Sequence, residues 1–187
     1  MIAADSPAVP KGPYRTLLVT LTFPPVVGGI ETMMHHLMRN MPGEATVLAP
    51  RTAGCEAFDR GQRYRVIRVR SPRWTPLRSL VLILHGVRLL RRHPVDHIQS
   101  SNMFAGLISM VLGRIHGVSY SVYAHAAEIT VLNSPLRSRL YRWLFSRVLK
   151  NAVRILSISD FTSREVVRAG VPADQVFKIP NGTDTTL

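Results

Sequence analysis

The sequence predicts an α/β fold: a mostly parallel seven-stranded sheet with helices on both faces. Three observations predict it. Short apolar runs alternate with longer segments of 3.6-residue period through most of the 187 residues. No Asn-Gly hairpin separates neighbouring runs, so consecutive strands are joined by crossovers, and a crossover leaves its strands parallel. The composition, 46% hydrophobic and 19% charged, is an ordinary globular mix with enough chain for one real core.

Residues 1–13 carry Ala, Pro and Gly and lack the basic start and apolar centre of a signal peptide, so a flexible N-terminal tail is expected there. The domain is expected to span 14–187. Its first strand is the apolar run Thr16 to Leu21. A Pro-rich loop and Gly28-Gly29 lead into a helix with Ile30, Met33, Met34, Leu37, Met38 and Met41 on one face. Pro42-Gly43 stops that helix. Ala45 to Ala49 is the second strand, Arg51 to Arg63 a polar surface loop, and Tyr64 to Val69 a third strand nearer an edge. After the Pro-rich loop Ser71 to Pro76, Leu77 to Arg92 is a helix, apolar almost all round at first and basic at its end. Asp96 to Gln99 is the fourth strand. Met103 to His116 is an apolar helix closed by Gly117, and Ser119 to Tyr123 is the fifth strand. Pro135 to Asn151 is a helix with Pro135 in its first turn and the stripe Leu136, Leu140, Leu144, Val148. Arg154 to Ile158 is the sixth strand. Phe161 to Ala169 is a helix capped by Ser159 or Asp160 and ended by Gly170, and Val176 to Ile179 is the seventh strand.

In such a sheet ligands bind beyond the carboxyl ends of the strands. The site candidates are therefore Phe23 to Gly29, Ser100 to Met103, Ala124 to Ser134, and Ser159 to Thr162. Gly28-Gly29 is the most suggestive. Two glycines leave the backbone open to a ligand and permit positive φ. The helix start behind them offers unpaired N–H groups and the positive end of the macrodipole, an anion site. The alternative is a plain strand-to-helix turn. The pattern is neither GxGxxG nor a Walker loop.

Charge is lopsided, with 24 Lys and Arg against 11 Asp and Glu, a net of +13. That favours an anionic partner: a nucleotide, a nucleic acid or an acidic membrane surface. Cys55 is the sole cysteine, so no internal disulfide forms, which fits a reducing compartment and a cytoplasmic location. No run reaches the roughly 18 apolar residues that would span a bilayer. His35 and His36 are adjacent, so on a helix they point about 100° apart and cannot clamp one ion. No metal site or cofactor is expected. The helices at 77–92 and 135–151 contain several arginines and no acid, the second with Tyr141, Trp143 and Phe145 among them. A solvated face is the plain reading; a surface peripheral to an anionic membrane is the functional one.

Four stretches, in order, resemble the family 4 glycosyltransferases of the GT-B fold. Gly28-Gly29-Ile30-Glu31 resembles the family's Gly-Gly-[Ile/Val]-[Glu/Gln] turn. Asp96-His97-Ile98-Gln99 resembles its strand opening with Asp, and Tyr123-Ala124-His125-Ala126-Ala127-Glu128 its His-Gly-x-[Asp/Glu] loop. Residues 157–184, SISDFTSREVVRAGVPADQVFKIPNGTD, resemble its strand, helix, Gly-Val-Pro, strand, Pro-Asn-Gly-x-Asp sequence. Ala126 departs from the pattern where Gly is common. The resemblance covers about residues 15–187.

It implies that 14–187 is the Rossmann-like, N-terminal, acceptor-side half of a two-domain enzyme, cut before the half that holds the donor. The complete enzyme would be retaining and metal-independent and would move a hexosyl group from a nucleotide-sugar to a glycan or lipid-linked acceptor. The isolated domain is expected to fold without transferring sugar. The resemblance assigns Gly28 and Gly29 to the donor's β-phosphate and His125 to the catalytic position beside the transferred sugar. Candidates for the acceptor side are Glu31, Trp74, Asn102, Glu128 and Ser159, with Asn181, Gly182 and Asp184 as hinge. Each has a plainer alternative. His125 is satisfied within its loop, Glu31 stabilises the first helical turn, Trp74 buries its ring, Glu128 is an ordinary surface carboxylate, and Ser159 caps the next helix. The plainer reading is the favoured one for Glu31, Trp74 and Ser159. Two other function classes compete: a nucleic-acid-binding module and a non-catalytic peripheral membrane domain. No zinc spacing, RNP motif or basic zipper is present, so no nucleic-acid partner is expected.

Overall fold

A computed structural model describes residues 14–72, 74–133, 139–180 and 182. The expected tail at 1–13, Pro135, Leu136, Asn181 and Asp184 lie outside the described residues. Seven strands form one sheet: β1 (Arg15–Val19), β2 (Glu44–Pro50), β3 (Arg65–Val69), β4 (His97–Ser100), β5 (Tyr120–Ala124), β6 (Arg154–Ser157) and β7 (Val176–Lys178). Their order is β3-β2-β1-β4-β5-β6-β7, and every pair is parallel. The helices are α1 (Gly29–Arg39), α2 (Cys55–Arg60), α3 (Thr75–Arg92), α4 (Met103–His116), α5 (Ala126–Asn133), α6 (Arg139–Lys150) and α7 (Asp160–Arg168).

From β1 the chain winds outward through β2 to β3, then returns to β4 and winds the other way to β7. Right-handed crossovers in opposite directions put their helices on opposite faces. Leu18, Val47 and Tyr123 accordingly pack with Met34 and Met38 of α1 and, through Phe23 and Tyr64, with Phe58 of α2. Leu17, Val19, Ile98, Val122 and Ile155 pack against α3, α4, α5, α6 and α7. The alternation of Leu17, Leu18 and Val19 between the two cores is the period of two of a strand.

Four expectations change. The stretch 51–63 contains α2, a helix of six residues bracketed by Gly54 and Gly61 and too short for a periodic pattern to reveal. The loop expected at 124–134 is largely α5. In α6 the inward side chains are Phe145, Val148 and Leu149, with Tyr141 beside them, while Leu140 is 70% exposed. A stripe drawn through i, i+4 leucines had pointed Leu140 inward. Trp74 is 69% exposed rather than buried. Gly117 behaves as expected: its φ of 68° closes α4, with its N–H on the Gly113 carbonyl.

Candidate functional site

The strand order reverses between β1 and β4. The loops leaving those two strands diverge to opposite faces and open a crevice at the carboxyl edge. Because β1, β4, β5 and β6 are neighbours, the loops after them stand side by side along that edge, about 4.8 Å apart at their roots. This brings the Gly28-Gly29 turn, Asn102, His125 and Ser159 to one edge. Trp74 follows β3 at the far end of the sheet, three strand positions from β4.

 Counted along the strand order, β3 and β5 are four positions apart, so Trp74 does not join His125.

The loop after β1 is anchored at its middle. Phe23 is fully buried, edge-on to Phe58 and Tyr64 with ring centroids 6.1 and 6.2 Å away. Arg68 on β3 lies 5.5 Å from the Phe23 ring centroid, donates to the Pro24 carbonyl and, at 3.2 Å, to that of Pro50. It also binds both carboxylate oxygens of Asp59 on α2, at 3.0 and 2.8 Å. These contacts fix where the loop turns toward α1.

The N-terminus of α1 differs from those of α4 and α7. Asn102 Oδ1 accepts from the Ala105 N–H at 2.8 Å and caps α4, while Glu128 Oε2 accepts from the Met103 N–H at 3.0 Å. Ser159 Oγ accepts from the Thr162 N–H at 3.2 Å and caps α7, as its favoured reading required. Gly28, at the cap position of α1, has no side chain to offer, and no side chain caps it. Its φ of −178° is ordinary extended backbone, so the pair does not serve to reach positive φ. What it supplies is the absence of Cβ atoms: one at Gly29 would meet nothing within 4 Å, and one at Gly28 would overlap the Glu31 carboxylate. Glu31 thus folds back over the first turn, where a negative charge is favoured.

His125 follows β5 and is half-buried. Its Nε2 is 3.0 Å from the Ser101 carbonyl, which can only accept, so Nε2 carries the proton. Burial lowers the pKa of the ring, although the bond to Ser101 opposes this. The neutral tautomer therefore leaves Nδ1 as an acceptor. Burial likewise raises the Glu128 pKa to about 7, against the lowering effect of the Met103 N–H. His125 and Glu128 together tie the turn after β5 to the turn after β4 at two points. Gly182 lines a cavity of about 180 Å³ with Met33, Leu37, Tyr123, Ile179 and Pro180, away from these bonds.

Two residues of this edge were not singled out from sequence. Ser101 is fully buried, and its hydroxyl has no hydrogen-bond partner among the described residues. Arg68 reads in sequence as one more arginine of a strand, and its role depends on a loop and a helix distant along the chain. His35, by contrast, is accounted for by the core, with Nδ1 2.6 Å from the Tyr64 hydroxyl.

Residues 27–187 match the model of the family described as Glycosyltransferase Family 4. A curated relative is the GDP-mannose-dependent alpha-(1-6)-phosphatidylinositol monomannoside mannosyltransferase of Mycobacterium tuberculosis. It is 27% identical over 179 residues, which are 91% of this chain and 45% of that protein. Among solved structures, Anabaena HepE in complex with UDP superposes with a TM-score of 0.69 at 17% identity, over 91% of this chain and 44% of that one. The lipopolysaccharide outer core galactosyltransferase WaaB superposes with a TM-score of 0.63 at 12% identity, over 90% and 46%. At these identities the structural likeness is one of fold. The chain thus spans about half the length of the proteins it matches.

Proposed function

Because this chain belongs to glycosyltransferase family 4, we propose that it is the acceptor-side, N-terminal half of a retaining glycosyltransferase. The complete enzyme moves a hexosyl group from a nucleotide-sugar to a glycan or lipid-linked acceptor at the cytoplasmic face of a membrane. A GDP-sugar-dependent relative and a structural neighbour holding UDP support that donor class. Family membership favours this reading over a nucleic-acid module.

The observation that supports it best is the bare N-terminus of α1. When the anomeric carbon leaves the donor, negative charge collects on the departing phosphate and positive character on the sugar ring. The N–H groups at Gly28-Gly29 and the helix dipole stabilise the first. Glu31, at the far end of a flexible side chain, swings aside to admit the phosphate. His125, with Nδ1 free to accept from a sugar hydroxyl, orients the ring as the second develops. Asn102, Glu128 and Ser159 hold the neighbouring turns by their capping bonds, and the acceptor lies over these turns. No step calls for a metal ion.

In the complete enzyme, Gly29→Val is expected to raise the donor KM and lower kcat. Open space around Gly29 lets the fold accept the side chain, while a bound phosphate does not. His125→Ala is expected to lower kcat about a hundredfold with a smaller effect on donor affinity. Steady-state kinetics with circular dichroism as fold control decide both. A folded Gly29→Val enzyme with unchanged donor KM removes the phosphate assignment, and a folded His125→Ala enzyme with unchanged kcat removes the other.

A further inference from the structure

Trp74 stands 69% exposed, although tryptophan is a side chain that folding usually removes from water. Its backbone is nonetheless fixed. Its carbonyl accepts from the Arg78 N–H at 3.0 Å, and Arg78 Nε donates to the Pro72 carbonyl at 3.1 Å. The first turn of α3 and the loop before it therefore hold each other, and Pro76 in that turn stiffens it. A rigid backbone presents an apolar ring to solvent at the carboxyl edge.

The loops after β1, β2 and β3 are tied into one floor beside it. The Arg51 N–H donates to the Val69 carbonyl at 2.8 Å, and Arg68 joins Pro24 to Pro50. A Cβ on Gly54 would stand 3.6 Å from Cγ of Pro25. Pro50 and Val69 are register partners. Two residues beyond them, Thr52 Oγ1 and Ser71 Oγ are buried hydroxyls with no hydrogen-bond partner among the described residues. A hydroxyl so placed costs free energy until a polar group meets it.

We propose that this end of the carboxyl edge is an outer subsite for an oligosaccharide acceptor, in which Trp74 stacks on a sugar ring and Thr52 and Ser71 bond its hydroxyls. The identity of the ligand rests on the sugar-transfer reading above. A pyranose offers a face of C–H groups to an aromatic ring and a rim of hydroxyls that donate and accept. A lipid chain would match Trp74 and leave both hydroxyls unpaired. Both oxygens are closed to solvent, so they meet the sugar through a change of side-chain rotamer as it binds. Three strand spacings, about 14 Å, separate the roots of the loops that carry Asn102 and Trp74. One sugar ring does not span that distance. The acceptor is accordingly a chain of roughly three or more sugars, with its growing end at His125 and an older unit on Trp74.

The test is direct binding with no donor present. In a Trp143→Phe variant Trp74 is the only tryptophan, so its emission reports the subsite alone. Linear mannose, glucose and galactose oligosaccharides, from the single sugar to the pentasaccharide, are titrated against it. At least one series is expected to shift the emission, with affinity rising with length and little response to the single sugar. Trp74→Ala, followed by amide chemical shifts, is expected to weaken binding of the longest member about tenfold with an unchanged circular dichroism spectrum. The double variant Thr52→Val, Ser71→Ala removes two unsatisfied hydroxyls, so it is expected to be at least as stable as the parent and yet to bind more weakly. Unchanged binding in the double variant strikes Thr52 and Ser71 from the subsite. No response to any series, an affinity independent of length, or full binding by Trp74→Ala overturns the proposal. So does GDP or UDP shifting Trp74 emission as strongly as the sugars. A complete enzyme that transfers sugar while Trp74 binds none overturns the subsite and leaves the transfer reading standing. Saccharide binding at Trp74 in an enzyme whose Gly29→Val and His125→Ala variants keep full activity does the reverse.

Discussion

Glu128 is a site residue whose charge the fold controls. Its pKa rises from the usual 4.5 to about 7 because burial penalises the carboxylate more than the Met103 N–H rewards it. Between those values the folded protein holds a proton that the unfolded chain has released. Stability from this group is thus present below the unfolded pKa and lost as pH rises toward 7, by up to roughly 3 kcal/mol. Glu128→Gln keeps an acceptor for Met103 and removes the titration. Its urea midpoint, followed between pH 4.5 and 7.5, is expected to vary less with pH than that of the parent protein. An identical pH dependence in the two would mean that Glu128 titrates normally. His125 works in the opposite sense: a ring whose pKa is lowered loses its stability contribution as pH falls below about 6.5.

At the scale of elements, the β1–α1 loop owes its position to β3 and α2. Arg68 is 8% exposed along its side chain and Asp59 20%, so the pair is part-buried. Arg68→Ala leaves the Asp59 carboxylate and the Pro24 and Pro50 carbonyls without their donor, at an expected cost of about 3 kcal/mol. In the complete enzyme the same change is expected to raise donor KM, because the Gly28-Gly29 turn loses its anchor. Arg68→Lys cannot span Asp59 and Pro24 together and is expected to recover only part of either loss. Chemical denaturation and donor KM measure the two effects, and a stability loss with unchanged donor KM separates Arg68 from the site. The composition of residues 51–63 reads as loop, yet α2 within it holds Asp59. A short helix of this kind is stabilised by its contacts, here Phe58 on Phe23 and Asp59 on Arg68, rather than by its own period.

At the scale of the molecule, both cores are built from residues within 14–180, while the chain spans about half the length of the proteins it matches. The 187-residue chain alone is therefore expected to unfold cooperatively on heating and to show no turnover of nucleotide-sugars. Calorimetry and a sugar-transfer assay check the two halves of that statement. Transfer at an ordinary enzymatic rate by this chain alone would assign the whole reaction to it.

The sequence by itself determined the seven strands, their alternation with helices and most helix ends, because these depend on neighbours a few residues apart. The apolar spacing from Ile30 to Met41, the cap at Ser159 and the left-handed stop at Gly117 are local effects, legible one segment at a time. The Gly28-Gly29 turn and the position of His125 after the fifth strand were legible for the same reason. What only the tertiary structure decided depends on partners far along the chain. The reversal of strand order brought the turns after β1 and β4 to one crevice. The Ser101 carbonyl chose the tautomer of His125, and the Met103 N–H gave Glu128 its partner. Packing against α4 rotated α6 so that Leu140, apolar and inward by its spacing, faces outward beside Trp143 and the arginines. Hydrophobic spacing gives a helix its stripe, but the neighbour that covers the stripe decides which residues remain at the surface.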